Sequence, residues 1–400
     1  MKPSAATIII LALQSGLSSL AAAMVTPSTT ARAAIAQLRS TRDKRSNLLD
    51  VAKCAGWAMR EGARMLFLPE CLGFVGDDVS HTLSQADPPI GEDPTTGRYR
   101  HDDVTATSSS PSLFLSSPFR RALSDQIKLC AASSPDLNSV CDARDRSDWP
   151  EMSFTSIIEE LRYIACESKL WISGGGVHTK TETPPPSSDG GDDEGLEKIY
   201  NTHVIIDDEG RLRACYHKIH LFDVAIPGKV CLRESDTTRA GTRLVVCDSP
   251  IGRLGLSICY DMRFGEMYVD LVQKMGAQVL LMPSAFTVPT GRAHWHALLR
   301  ARAIESQCYI LAAAQVGKHN EKRESYGHSV VYDPWGELLA DAGGYDGVGS
   351  AGTIIESSEY NESPVRVPSI IVSDIDLDNI SLVRERMPIQ QHRDISKYSY

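Results

Sequence analysis

The stretch "LGLSICYDMRF", Leu254 to Phe264, ends an apolar alternation on a thiol. Leu254, Leu256 and Ile258 share one face of the strand that the period-two pattern predicts, which puts Cys259 on the other face, where strand passes into loop and helix. Ligand sites of α/β proteins gather at the C-terminal ends of strands, and a loop there can offer backbone N–H groups to a developing oxyanion. Alone, the thiol reads more readily as a small core side chain, as do Cys54, Cys71, Cys166, Cys247 and Cys308. A nucleophilic cysteine needs a base and an electrostatic partner. Two other segments end apolar runs on charge: "MLFLPE" stops at Glu70, and "YHKIHLFD" carries Lys218 inside an alternating strand. A carboxylate arriving on an apolar run is costly to bury without a partner. Taken separately, Glu70 also fits an exposed loop start and Lys218 a solvent-facing strand position.

The elements that must position these groups alternate between strand and helix. "ARAAIAQLRS" reads as a strand, "KRSNLLDVAKCAGWAMREGA" as a helix stopped at Gly62, and "RMLFLPE" as a strand. "FTSIIEELRYIACESKLWISGGGVH" gives helix then strand, and "KIYNTHVIIDDEGRLRACYHK" a hairpin turning at Asp208-Glu209-Gly210. "RLVVCDSPIGRLGLSIC" is a second hairpin, "FGEMYVDLVQKMGA" a helix and "QVLLMPSAF" a strand. "RAHWHALLRARAIESQ" then predicts a helix, "CYILAAAQVG" a strand, "HSVVYDPWGELLA" a hairpin with the residues of a type I turn, and "SIIVSDIDLDNISLVRERM" strand then helix. The expected fold is an α/β layered sandwich with mixed sheets.

The chain has 400 residues and a net charge of −10, with no basic run interleaved with aromatics, so nucleic acid is not an expected partner. Ten cysteines show no CxxC pair, which fits neither a disulfide framework nor a zinc knuckle and points to a reducing compartment. Residues 1–30 read as a targeting leader or unstructured tail: "TIIILALQSGLSSLAAAMV" follows Lys2, lacks acids and is too interrupted for stable membrane insertion. Its destination, organellar or secretory, stays open, with the cytoplasm as the alternative. About 87–150, rich in Pro, Ser, Thr, Asp and Gly, and 181–197 read as insertions, the first partly disordered.

"FLPE", "YHKIHLFD" and "GLSICYDMRF" together resemble the three motifs of the nitrilase superfamily, whose catalytic glutamate, lysine and cysteine follow this chain order. The resemblance spans roughly 31–80 and 151–395. It implies a four-layer α-β-β-α sandwich in a single domain, 31–395. By the same resemblance Glu70 is the general base, Lys218 the oxyanion stabiliser and Cys259 the nucleophile. "RESDTTRAG" places a second glutamate, Glu234, beside them, and the backbone N–H of Tyr260 becomes an oxyanion donor. No metal or organic cofactor is implied, and a homodimer or larger homo-oligomer is. "MPSAFTVPTGRAHWHALLRARAIESQCYILAAAQVGKHNEKRESYGHS" most resembles the branch that hydrolyses deaminated glutathione, a metabolite-repair activity. The alternatives are the ω-amidase branch acting on α-ketoglutaramate and another amidase or carbamoylase of the superfamily.

Both leading substrates are α-keto acids, so an anion-binding cluster is expected, with Arg263, Arg292, His294 and Arg300 as candidates. Structural salt bridges or solvent account for such arginines equally well. His294 and His296, two apart on a helix, point in different directions, unlike the ligands of an HExxH site. Readings from other classes are a silent scaffold and a Cys–His thiol hydrolase.

Overall fold

The structure is a computed structural model that describes residues 30–76, 78–90, 117–132, 156–181, 198–226, 230–344, 353–356 and 367–393. The expected leader, apart from Thr30, and most of the two expected insertions lie outside the described residues. The first half of the chain runs β1 (Thr30–Leu38), α1 (Lys44–Arg60), β2 (Met65–Phe67), α2 (Pro118–Ala132), α3 (Ile157–Ser168), β3 (Trp171–Ser173), β4 (Val177–Lys180), β5 (Ile199–Ile206), β6 (Leu212–His217), β7 (Asp223–Ile226) and β8 (Val230–Arg233). The second half runs β9 (Val246–Ser249), β10 (Gly252–Leu256), α4 (Gly265–Gln273), β11 (Val279–Leu281), α5 (Val288–Ser306), β12 (Tyr309–Ala312), β13 (Ala314–Lys318), β14 (Glu324–Tyr326), β15 (Val330–Tyr332), β16 (Leu338–Asp341), β17 (Thr353–Glu356), β18 (Ser369–Asp376) and α6 (Leu377–Arg386).

The strands form two large mixed sheets. In one, β14-β13-β1-β2-β3-β5-β4 lie side by side, with β18, β17 and β6 paired off that path; the other is β16-β15-β12-β11-β10-β9. β1 shows how the layers arise. Ala33 and Ile35 enter one core together with Leu254, Leu256, Leu280 and Ile310 of the opposite sheet. Ala34, Ala36 and Leu38 enter a second core with Leu48, Val51, Leu123 and Ile164 of helices α1, α2 and α3. Successive side chains point to opposite faces, and a one-residue slip would exchange the two sets, so register follows from burial on both sides. Helices α4 and α5 cover the second sheet through Tyr268, Leu271, Trp295 and Leu299. The architecture is the four-layer α-β-β-α sandwich with mixed sheets.

The short strands β4, β7, β8, β14 and β17 were not among the expected elements, and two further segments depart from the sequence reading. Residues 87–150 are not structureless throughout, because α2 buries Phe119, Leu123, Ile127 and Cys130 against α1. Gly56 of α1 permits the close approach: a Cβ there would stand 2.5 Å from the Ile127 carbonyl oxygen. The short apolar stripe of α2 is set among Pro- and Ser-rich sequence that hides its period. "CYILAAAQVG" is also two strands, not one. β12 belongs to the second sheet and β13 to the first, so the chain changes sheet at Ala313. That crossing holds the two sheets together beside the residues described next.

Candidate active site

Glu70 ends an extension of β2. Leu68 N–H donates to the Ser173 carbonyl (2.9 Å), Glu70 bridges to Gly176, and Cys71 N–H donates to the Gly176 carbonyl (2.9 Å). Gln315 Nε2, from β13, donates to the Glu70 carbonyl (3.0 Å). Gly176 must be glycine here, since a Cβ would stand 2.5 Å from Asn201 Oδ1 and 3.0 Å from Glu70 Cγ. Lys218 follows β6, its N–H donating to the Asn201 carbonyl (2.9 Å). Glu234 opens a short 3-10 turn after β8, and Phe222 N–H donates to its Oε2 (2.8 Å). Cys259 opens another, Cys259–Arg263, three residues beyond the end of β10.

These distant residues converge. Lys218 Nζ lies 3.2 Å from Glu70 Oε1 and 2.9 and 3.1 Å from the two oxygens of Glu234. The Cys259 thiol and the Glu70 carboxylate shift each other's titration, and the Ala285 N–H donates to Glu70 Oε2 (3.0 Å). Asn201, which the sequence reading did not single out, donates through Nδ2 to Glu70 Oε1 (2.9 Å) and Glu234 Oε1 (3.4 Å). A sign of it was present: Asn201 and His203 fall on the face of β5 that Ile205 buries between the sheets. Cys259 itself has φ +50, a left-handed conformation uncommon for a non-glycine residue. It is held by its N–H, which donates to the Pro283 carbonyl (2.9 Å). Backbone strain of this kind is found at functional sites and costs about 1–3 kcal/mol.

Burial and charge set the protonation states. Burial pushes the Glu70 carboxyl up, but Lys218 and the hydrogen bonds from Cys259, Lys218 and Asn201 outweigh it and hold it below the usual carboxylate range. Burial alone would lower the Lys218 ammonium, yet Glu70 and Glu234 keep it well above its ordinary value. The Cys259 thiol is pushed well up, by burial and then by the Glu70 charge, with Lys218 opposing. The resting site is therefore a carboxylate, an ammonium and a neutral thiol.

Asp261, also absent from the sequence reading, ties the Cys259 turn to the loop that follows Lys218. It is fully buried and accepts four hydrogen bonds. Tyr216 Oη (2.7 Å) and Ile258 N–H (2.9 Å) reach Oδ2, while His220 N–H (3.0 Å) and Nδ1 (2.8 Å) reach Oδ1.

The expected anion-binding residues separate into groups. Both terminal nitrogens of Arg263 lie 3.3 Å from His294 Nδ1, and the guanidinium sits 5.5 Å from the ring centroids of Tyr260 and Phe286. Arg263 Nε is buried without a hydrogen-bond partner. Arg292 is exposed and, among the described residues, makes no hydrogen bond or ion pair in the structure. Arg300 Nε donates to the Gly336 carbonyl (3.0 Å) and not to any of Glu70, Lys218, Glu234 and Cys259. His296 faces elsewhere than His294, joining His328 and Asp341, whose ligand-type atoms lie within 4.8 Å of one another. That cluster already bonds internally: Asp341 accepts from His328 Nδ1 (2.9 Å), and His296 Nδ1 pairs with Tyr332 Oη (2.9 Å). Among the described residues, no hydrogen bond or ion pair joins it to Glu70, Lys218, Glu234 or Cys259.

Comparison with known proteins gives the family. A profile for carbon-nitrogen hydrolases matches residues 144–384. The deaminated glutathione amidase of Homo sapiens is 34% identical over 361 residues, 90% of this chain and 81% of the relative. The chain belongs to the carbon-nitrogen hydrolase family. A Dictyostelium discoideum protein of the same name is 44% identical to this hydrolase over 258 residues, covering 64% of this chain and 77% of the relative. The crystal structure of the Caenorhabditis elegans NitFhit protein is 34% identical, with a TM-score of 0.61 over 92% of this chain and 66% of that one. Saccharomyces cerevisiae Nit3, a nitrilase-superfamily member, shares the fold at 22% identity and a TM-score of 0.59 over 92% of this chain and 97% of its own. The expected membership of the nitrilase superfamily holds, and the protein is a hydrolase of amides.

Proposed function

We propose that this carbon-nitrogen hydrolase cleaves the amide bond of deaminated glutathione through a cysteine acyl-enzyme, yielding 2-oxoglutarate and cysteinylglycine. What carries the reading is the meeting of Glu70, Lys218 and Cys259 from positions far apart in the chain. The substrate follows the relatives bearing that name in Dictyostelium, human and cow, the last 35% identical over 361 residues.

Because the thiol is neutral and Glu70 is a carboxylate at rest, no thiolate is formed in advance. Cys259 Sγ attacks the amide carbon as Glu70 takes its proton, which makes proton transfer concerted with bond formation. The carbonyl oxygen turns anionic beside Lys218. Two carboxylates engage two of the ammonium's three protons, and the third is free for the oxyanion. The Cys259 N–H is committed to Pro283, so the second donor assigned is the Tyr260 N–H. One such donor is worth about 3 kcal/mol of barrier. Glu70 then protonates the leaving nitrogen, the amine departs, and Glu70 activates the water that hydrolyses the thioester. Glu234 and Asn201 keep Lys218 and Glu70 in register throughout. Arg263, supported by His294, holds the keto-acid carboxylate through its terminal nitrogens.

The test is a panel of deaminated glutathione, α-ketoglutaramate, plain amides and nitriles, with 2-oxoglutarate and ammonia both measured. Deaminated glutathione should give the highest kcat/KM, and Cys259→Ala, Glu70→Gln and Lys218→Met should each abolish its turnover. Preference for α-ketoglutaramate would move the assignment to ω-amidase. Turnover that survives loss of Glu70 and Lys218 would favour a Cys–His hydrolase. The active form is a homodimer or larger, and a clean monomer by light scattering would contradict this.

A further inference from the structure

His296, His328 and Asp341 come from three different segments and meet at the β15–β16 edge of the second sheet. His296 is carried by α5, His328 precedes β15 and Asp341 closes β16. One ring nitrogen of each histidine and one oxygen of the carboxylate lie within 4.8 Å of one another. His328 and Asp341 are buried, whereas the His296 side chain stays 36% exposed and leaves the group open to solvent.

The backbone holds this arrangement under strain. His328 has φ +58, a left-handed conformation uncommon for a non-glycine residue. Its N–H donates to the Gly343 carbonyl (2.9 Å), and its carbonyl accepts from Nε1 of Trp295, the neighbour of His296 on α5 (2.8 Å). Gly344 has to be glycine, because a Cβ there would collide with the His328 ring. Strain of this kind gathers at sites that clamp a ligand or do chemistry.

The surrounding hydrogen bonds aim the ligand atoms. His296 Nδ1 pairs with Tyr332 Oη (2.9 Å), which turns Nε2 toward Asp341 Oδ2, 3.8 Å away. Asp341 Oδ1 accepts from the Gly343 N–H (2.8 Å), and His328 Nδ1 lies 2.9 and 3.0 Å from the two carboxylate oxygens. The gap between His296 Nε2 and Oδ2 is too long for a hydrogen bond. Two ligands of one zinc-sized ion, each at about 2.0–2.2 Å from it, stand about 3–4 Å apart, which the gap matches. Among the described residues the ion-pair partners of Asp341 are these two histidines, with no lysine or arginine. A buried carboxylate faced by imidazoles lacks a fixed countercharge, and a divalent cation supplies one.

We propose that His296 Nε2, His328 Nδ1 and the Asp341 carboxylate bind a divalent transition-metal ion, zinc by their nitrogen and oxygen chemistry, that clips α5 to the β15–β16 hairpin. Water completes the coordination from the exposed His296 side. On binding, the proton of His328 Nδ1 passes through solvent to Nε2, so both imidazoles coordinate as neutral ligands. Tyr332 orients His296 and Gly343 orients the carboxylate, the outer support that metal ligands need. The ion acts on the fold and not on the amide.

The experiment strips the full chain with a chelator, dialyses it, and titrates it with zinc against a chromophoric chelator and with cobalt for its visible spectrum. Cys259→Ala, which lacks the active-site thiol, is titrated beside His296→Ala and Tyr332→Phe. The full chain and Cys259→Ala should each bind one equivalent tightly enough to compete with the chelator, with the cobalt bands of a four- or five-coordinate nitrogen–oxygen site. Zinc should raise the Tm of both. Tyr332→Phe should weaken binding about ten- to hundred-fold. His296→Ala, a change at a half-exposed side chain, should lose the equivalent and the rise in Tm. A full chain that binds no zinc overturns the site, and so does an equivalent that survives His296→Ala. An equivalent lost in Cys259→Ala belongs to the catalytic thiol and overturns it as well. None of these outcomes bears on the amidase reading, which the substrate panel decides.

Discussion

At the scale of single residues, the structure holds the Cys259 thiol neutral at rest. Burial and the facing Glu70 carboxylate both raise the Cys259 thiol, and Lys218 only partly offsets them. Alkylation by iodoacetamide should therefore be slow at neutral pH and should accelerate only above the ordinary thiol value of about 8.5. Glu70→Gln should shift that rise to lower pH, since it removes the raising charge and leaves Lys218 in place. Rapid modification at pH 7 would mean a preformed thiolate and a different first step. Asn201 allows a second residue-scale prediction. Its Nδ2 reaches the carboxylates on either side of Lys218, and a hydrogen bond to a charged group is worth about 1.5–3 kcal/mol. Asn201→Ala should lower kcat roughly ten- to hundred-fold, with a smaller change in KM, as steady-state kinetics on deaminated glutathione would show. A rise in KM alone would place Asn201 in substrate binding instead.

At the scale of elements, the question is how segments from different sheets are kept in contact to within a bond length. Asp261 answers much of it, joining β6, the His220 loop and the Cys259 turn through four accepted hydrogen bonds. Asp261→Asn turns one acceptor into a donor that faces existing donors. The loss should be about 3 kcal/mol of stability, or roughly 3–5 °C in Tm for a chain of this size, with kcat falling further than KM rises. Scanning calorimetry together with kinetics would check it, and an unchanged Tm would remove Asp261 from this role. Asp261 also shows what the sequence makes legible. The strand pattern of "LGLSIC" and the three charged motif ends point to Cys259, Glu70 and Lys218, because each breaks an apolar period. An acid two residues past a cysteine breaks no period, and its four donors come from residues 3 to 45 positions away. The left-handed Cys259 and the sheet change at Ala313 are hidden for a related reason: both are imposed by neighbours through Pro283 and Ser284. The alternation of helix and strand, governed by local periodicity, is legible nearly everywhere. The exceptions are the short strands β4, β7, β8, β14 and β17, too brief to show a period, and α2, whose stripe is one helix face wide.

At the scale of the whole molecule, the two sheets are joined by a histidine that must stay neutral. His203, on β5, is fully buried, and its Nδ1–H donates to the Ser257 carbonyl (3.0 Å), two residues before Cys259, while Nε2 accepts from Ser173 Oγ (2.7 Å). Burial drives its pKa down to about 4, against the upward pull of Ser257 and Asp261. The unfolded chain takes up a proton near the ordinary 6.5, so the stabilisation is complete above that value and is lost as pH falls from about 6.5 to about 4. For one such group the loss is on the order of 3 kcal/mol. His178, His217 and His319, each also lowered to about 4, add to it in the same direction. Net charge predicts the opposite trend over part of this range. The chain carries −10 at neutral pH and approaches zero near its pI of about 5.6, which relieves self-repulsion and favours the compact state. Urea unfolding at a series of pH values between about 7.5 and 4.5 separates the two, because buried histidines require stability to fall already between 6.5 and 5.6. His203→Asn keeps a donor near Ser257 but cannot titrate, so its stability should be lower at neutral pH and decline less steeply toward acid. If the variant and the parent chain decline in parallel, the acid sensitivity belongs to other groups and the inter-sheet histidine carries none of it.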